Sequence, residues 1–334
     1  MERVAFQQLY QEFLRVLLKT GFVAERAELC ARIFAQNMRD GVYSHGLIRF
    51  PQFVEKAREG HHFDIHATPE KVAAFGTLEQ WDGRLDPGMV NATACMERAI
   101  ALAAEHCLGC VALKNNNHWM RAGTYALQAA EAGCIGICWT NTTRLMPPWG
   151  SAEKRLGNNP LALAVPREEG HVLLDMAMSQ FSGGKTTIYS RNKELFPVPG
   201  GYDDEGELSR DPDAVQKTER PLPIGYWKGS GLALLLDLLA TLLSGGSSTA
   251  RLARQEDEYG VSQVFVAIDI KTVAGEAGLQ TTVEEIVANL HEAAPLEEEQ
   301  QVTYPGERML QTRRENLEKG IPVDGEYWRQ VLDM

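Results

Sequence analysis

"GCVALKNNNHWMRAGTYALQAAEAGCIGICWT", residues 109–140, decides the fold class. Gly109–Leu113 is a short apolar run of strand type, Arg121–Ala132 has the apolar spacing of a helix, and Ile135–Thr140 returns to strand. Upstream, Val90–His106 carries another helical pattern. Downstream, Leu161–Val165, Val172–Met176 and Ser262–Ile270 are further strand-like runs. This alternation predicts an α/β (α+β) mixed-sheet domain over residues 71–280. Gly231–Leu243 is apolar on nearly every side and predicts a buried helix. Residues 182–228, rich in glycine, proline and charge, predict long loops beside a site.

The two ends of the chain read differently. Phe6, Leu9, Phe13, Val16 and Leu17 follow a helical period that stops at Gly21; a second helix runs from Ala24 to about Gly41, and a third begins or kinks at Pro51. The C-terminal segment is also helical, with "LEEEQQ" (296–301) as a solvated linker. Residues 1–70 and 281–334 together therefore predict a helical domain.

With 334 residues, 44% of them hydrophobic and 23% charged, the chain can bury a large core. Its net charge of -12, spread along the sequence, argues against nucleic-acid or anionic-membrane partners, so an anionic substrate needs a local cationic pocket. The N-terminus lacks the apolar centre of a signal peptide, and the longest apolar run, Leu232–Leu243, contains Asp237 and is too short to cross a bilayer; a cytoplasmic protein is expected. Cys107/Cys110 and Cys134/Cys138 lie in strand-like runs rather than on loop knuckles, and His61, His62 and His66 lack helical metal-site spacing, so no metal is expected.

Standard cofactor and nucleophile motifs fail. "SGGKTT" (182–187) has serine at 179 where a phosphate loop needs its first glycine; Ser230 is not in a Gly-x-Ser-x-Gly context; and no strand runs into Gly-x-Gly-x-x-Gly. What remains is "VYSHGLIRFP" (42–51). If a helix starts at Ser44, this serine is an N-cap and His45 and Arg49 share one face, an acid at or below pKa 6.5 beside a forked donor for a carboxylate. Spacing leaves open the plainer alternative of a cap, a packed histidine and a surface ion pair. "KNNNHWMRAG" (114–123) offers Asn117, His118 and Arg121 at a strand end, as substrate donors or as an Asn-rich turn. Asp175 ends a strand with a carboxylate, and Asp237, inside an apolar helix, requires a partner.

The strings "GVYSHGLIRFP", "LEQWDG", "NNHWMRAGTYALQAAEAGCIGICWTNTTRLMPPWG", "GNNPLALAVP", "GYWKGSG" and "YPGER" occur in order along the chain. Together they resemble the type-2 malate/L-lactate dehydrogenase family. This resemblance implies a non-Rossmann fold binding NAD (NADH, with NADPH as the alternative), a homodimer, and reduction of a small 2-keto acid such as 2,3-diketo-L-gulonate or a related sugar acid. Malate, lactate, sulfolactate, ureidoglycolate or a cyclic imino acid are the alternatives within the family, and a non-catalytic binder retaining the fold is the alternative outside it. By position the resemblance implies His45 as proton donor, Ser44 and Arg49 flanking the substrate, and His118 as a second catalytic histidine. It implies cofactor contacts from Val172, Leu173, Leu174, Asp175, Met176 and Ala177, from Trp227 and Lys228, and from Gly306, Glu307 and Arg308. It also implies that the helical domain serves substrate and dimer, and the sheet domain the cofactor.

Overall fold

A computed structural model describes residues 2–297 and 301–334. The chain opens with β1 (Glu2–Val4), α1 (Phe6–Thr20), α2 (Ala24–Arg39) and α3 (Phe50–Glu59). A hairpin, β2 (Glu70–Phe75) and β3 (Leu78–Asp82), leads to α4 (Gly88–His106), β4 (Leu108–Asn116), α5 (Gly123–Glu131) and β5 (Cys134–Thr140). Then come β6 (Leu161–Val165), β7 (Val172–Met176), α6 (Gly183–Asn192), β8 (Gly201–Tyr202), β9 (Leu208–Ser209) and α7 (Pro212–Thr218). The remainder is α8 (Trp227–Ser244), α9 (Thr249–Leu252), β10 (Val261–Asp269), α10 (Ile270–Ala274), α11 (Glu276–His291), α12 (Glu307–Lys319), β11 (Ile321–Val323) and α13 (Gly325–Asp333).

Seven strands form one sheet in the order β2-β3-β4-β10-β5-β6-β7. Only β3 and β4 pair in parallel, which requires the crossover that α4 supplies. Alternation along the central strands sends Val111, Leu113, Phe265 and Ala267 to a core under α4 and α5, and Ala112 and Val264 to a core under α8. A third core belongs to α1, α2, α3 and α13, closed by the β1–β11 ribbon and centred on Phe13, Phe34 and Phe50, whose rings pack at 4.4–5.9 Å. α2 packs on α4, so the helical layer meets the sheet at the C-terminal end of β4.

Three expectations need correction. Residues 182–228 are not only loops: α6 and α7 pack Phe181, Phe196 and Val215 into a small core of their own. β2 and β3 are strands that local pattern did not signal, because β2 is mostly exposed and carries little apolar alternation. The third concerns α8, which is not buried all round. It seats Ala233, Leu236 and Ala240 on the sheet while Leu234, Leu235, Leu238, Leu239 and Leu242 face outward, the last 73% exposed. Asp237 lies half-buried on this helix and accepts hydrogen bonds from Asn141 Nδ2 (2.8 Å) and the Thr249 amide (2.9 Å), which satisfy its charge. The linker expected at 296–301 falls partly outside the described residues.

Candidate active site

The site lies where α2 hands the chain to α3. Asn37, fully buried near the end of α2, donates from Nδ2 to the His45 carbonyl at 2.9 Å. Tyr43–His45 is a single 3-10 turn, and α3 starts only at Phe50 with Arg49 as its N-cap. Ser44 therefore caps no helix, and His45 and Arg49 are not one helical turn apart. Gly46, at φ -117 and ψ -122, interrupts any helix through this stretch. A Cβ there would lie 2.4 Å from the Met38 sulfur, so the close approach requires glycine. The same sulfur accepts the Leu47 amide at 3.2 Å. The Ser44 hydroxyl instead meets His45 Nδ1 at 3.0 Å and fixes the ring from the side.

His118 comes from the loop after β4. Its ring is parallel to that of His45, with centroids 5.8 Å apart and planes at 4°. Its Nδ1 accepts the Met120 amide at 3.1 Å, so the neutral ring carries its proton on Nε2. Met120 (φ 63) and Asn115 (φ 54) both adopt left-handed backbone, strain that holds the loop in place. The other two donors of this loop are not available to a substrate. Asn117 Nδ2 donates to the carbonyls of His62 (3.2 Å), Leu85 (2.7 Å) and Asp86 (3.2 Å). Arg121 is 5% exposed and is clamped between Asp40 (Nη1, 3.1 Å) and Asp175 (Nε, 3.2 Å).

The charges acting on the two rings divide into an acidic and a basic side. The acidic side is Asp175, whose Oδ2 also accepts the Gly123 amide at 3.0 Å; a side chain at 123 would meet that oxygen at 2.6 Å. The basic side includes Arg49, solvent-exposed, with Nη1 donating to Gln52 at 3.2 Å. Burial pushes His45 down to about 4; Asp175 pulls it back up, while Arg49 and Arg121 push it further down. Burial, then the charges of His45, Arg49 and Lys56, push His118 down to about 3. Both rings are neutral at pH 7. His45 thus lies below 6.5, the direction expected, and the main cause is desolvation by burial rather than a helix terminus.

Asp40 was not singled out from sequence. It is buried, and receives Arg313 through two bonds of 2.8 Å, Arg39 at 2.7 Å and Arg121 at 3.1 Å. Burial raises its carboxyl, but the bonds from Arg313 and Arg39 outweigh this and hold it below the usual carboxylate range. One sequence signal was available: an acid at a helix C-terminus opposes the helix dipole and therefore needs a cation.

The three segments matched to cofactor contacts lie in a line along β7, an edge strand paired only with β6. At its start, the Leu173 amide donates to the Pro305 carbonyl at 2.8 Å, and Gly306, at φ +99, sits so close that a Cβ would be 3.0 Å from that nitrogen. Beyond its end, the Ile224 amide donates to Met178 at 2.8 Å, which brings Trp227 and Lys228 alongside. Leu174 and Asp175 are exposed on this edge; Val172, Met176 and Ala177 are half-buried. Glu307 is already engaged, accepting the Tyr304 amide (3.1 Å) and contacting His291 Nε2 (3.0 Å). The donor set fits a dinucleotide: the N-termini of α8 and α12 for phosphates, the Lys228 ammonium, an exposed Trp227 for stacking, and the exposed Leu174–Asp175 stretch of the β7 edge. Among the described residues no group of three or more histidine, cysteine or acidic side chains is placed to hold a metal.

The malate/L-lactate dehydrogenase family profile matches residues 4–332, and this chain belongs to that family. It is 44% identical over 332 residues to the 2,3-diketo-L-gulonate reductase of Citrobacter koseri, covering 98% of this chain and 99% of that protein. The crystal structure of malate dehydrogenase from Entamoeba histolytica superposes with a TM-score of 0.93 at 23% identity, over 99% of this chain and 96% of that one. Sulfolactate dehydrogenase from Methanocaldococcus jannaschii superposes with a TM-score of 0.89 at 28% identity, over 99% of this chain and 96% of that one, and malate dehydrogenase from Pyrococcus horikoshii does so at the same score and identity, over 99% and 94%.

Proposed function

We propose that this protein is a cytoplasmic NAD(P)H-dependent reductase of a 2-keto acid, 2,3-diketo-L-gulonate or a related sugar acid, with His45 as the proton donor. The observation that carries this reading is the parallel pair of neutral imidazoles, with the Asp175 carboxylate acting on His45 and the exposed Arg49 guanidinium acting on both rings. The edge of β7, with Val172–Ala177, Trp227–Lys228 and Gly306–Arg308, would hold the cofactor, NADH in the first instance with NADPH as the alternative. When bound, the reduced nicotinamide supplies a hydride to the ketone carbon.

The chain's own groups do the rest. Arg49 takes the substrate carboxylate in a forked contact, which orients the keto group between the rings. His118 offers Nε2–H to a substrate oxygen. Charge growing on the ketone oxygen needs a proton, and His45 delivers it while Ser44 fixes the ring at Nδ1. A free-enzyme pKa of about 4 means that His45 takes up this proton with the bound acid, whose negative charge adds to that of Asp175. In the reverse direction the neutral ring is already the base. Residues 1–70 and 281–334 serve as the substrate domain in this reading and residues 71–280 as the cofactor domain, which, in place of the helical domain expected to serve the dimer, also carries the dimer contact on α8.

A homodimer completes it, with the bare leucine face of α8 as the contact, since apolar patches of this kind mark interfaces. Sedimentation should give twice the chain mass of 37.0 kDa, and Leu238→Asp with Leu242→Asp should return the monomer. For the activity, both reduced cofactors are to be tested against a panel of 2-keto acids that includes 2,3-diketo-L-gulonate. Turnover of that acid at the highest kcat/KM supports the reading; cofactor binding with no turnover of any 2-keto acid overturns it.

A further inference from the structure

Beyond His118 the site continues into a polar wall with no assigned role. The Asn117 side chain, bonded to the His62 carbonyl, ties this wall to the loop that carries His118. The His62 ring lies on Tyr259, centroids 3.8 Å apart and planes at 7°. Next to Tyr259, half-buried Glu258 accepts the Thr143 amide through Oε2 at 2.7 Å, its one hydrogen bond among the described residues. Within electrostatic reach of it is α3 with its N-cap, where Arg49, Gln52 and Lys56 recur at intervals of three and four and so form one stripe. The charges of Arg49 and Lys56 bear on both His118 and Glu258. Among the described residues the Lys56 ammonium has no hydrogen-bond or ion-pair partner.

We infer that Lys56 and Glu258 form a distal subsite that selects a 2-keto acid with a hydroxylated tail over a short or a dicarboxylic one. This rests on the reductase reading above and names what sets its substrate. Arg49 and Lys56 are separated by about 10 Å along the helix axis. A three-carbon acid held at Arg49 leaves Lys56 unreached; a six-carbon acid spans the interval. A hydroxyl is both donor and acceptor, so a polyol tail can accept from Lys56 and donate to Glu258. A methyl satisfies neither group, and a second carboxylate pairs with Lys56 but has no donor to offer Glu258. Burial raises the Glu258 carboxyl above its ordinary range against the opposing pull of the Thr143 amide, Lys56 and Arg49, and with only Oε2 bonded among the described residues its second oxygen is left to bond a hydroxyl. Sites that bond substrate hydroxyls discriminate strongly against analogues that lack them.

The test uses the full chain, wild type, Lys56→Met and Glu258→Gln, with 2,3-diketo-L-gulonate, oxaloacetate and pyruvate. Glu258→Gln keeps an acceptor for Thr143, and Lys56→Met removes a group with no bonded partner, so both variants should fold. Lys56→Met should lower kcat/KM for the sugar acid on the order of 30-fold, mostly through KM, and leave pyruvate within about twofold. Glu258→Gln should lower the sugar acid by roughly tenfold and raise oxaloacetate relative to it. Equal losses on all three acids, or no loss on the sugar acid in either variant, overturn the inference. Calorimetric binding of L-gulonate, with no oxidised cofactor present so that it cannot react, is measured in parallel, and it separates this failure from failure of the reductase reading. If no acid is turned over, weaker L-gulonate binding in the variants still supports the subsite, and unchanged binding overturns it.

Discussion

The two sides of the histidine pair are built in opposite ways. The Asp175 side is a closed network: Asp175, Arg121, Asp40 and Arg313 are bonded in series, joining β7, the loop after β4, α2 and α12. The Arg49 side is open: among the described residues its exposed guanidinium is bonded to Gln52 alone, and the half-buried Lys56 ammonium farther along α3 has no bonded partner. A network whose members satisfy one another cannot rearrange cheaply to meet a ligand, whereas exposed cations with few partners can. In the proposed mechanism the first side sets the charge state of His45 and the second binds substrate.

Four experiments sharpen or break that division. His45→Ala, which removes the group between the sides, should lower single-turnover reduction by at least about a thousandfold, with NADH fluorescence titrations unchanged. Wild-type hydride transfer in this variant would end its assignment as proton donor. Arg49→Leu should lower kcat/KM on the order of a hundredfold, chiefly through KM, because the contact it loses is made in the ground state as well. A loss confined to kcat would place Arg49 on the wrong side of the comparison.

Asp175→Asn should cost roughly tenfold at pH 7, by removing the charge that raises His45. In wild type, reductive kcat/KM should rise as pH falls toward about 4, since imidazolium is the required form; in Asp175→Asn the whole profile should move to lower pH. A uniform loss with no displacement would mean that Asp175 is only structural. The smallest effect concerns stability. His45 and His118 are depressed to about 4 and about 3, so below the unfolded value near 6.5 the unfolded chain binds more protons. Stability should therefore fall as pH drops from 6.5 towards those values and be unaffected above that window, and His118→Phe should flatten part of the slope of Tm against pH.

Elements whose pattern is imposed locally were legible in the sequence. Leu161–Val165 and Val172–Met176 match β6 and β7 residue for residue, and the helix expected over Val90–His106 begins two residues earlier, at Gly88. Features fixed by distant partners were not. Arg121 and Asn117 read as substrate donors because Asp40, Asp175 and the His62 carbonyl lie far off in sequence. Ser44 read as an N-cap because a 3-10 turn and an α-helix start share the same local preference, and only the Met38 sulfur against Gly46 decides between them. An all-apolar helix such as α8 reads as buried, yet composition cannot distinguish burial in the chain from burial against another molecule. The resemblance brought His45, His118 and Arg49 forward; local spacing alone left them undecided.

The edge position of β7 has a consequence for solubility. An unpaired strand edge is a template for pairing with other chains, and Val172-Leu173-Leu174 would be an effective one. The bond from the Leu173 amide to Pro305, with Gly306 pressed against it, covers this edge at its most apolar point. A chain cut short before Pro305 would therefore aggregate through β7, and inclusion bodies rather than a slow enzyme would be the first sign of the loss.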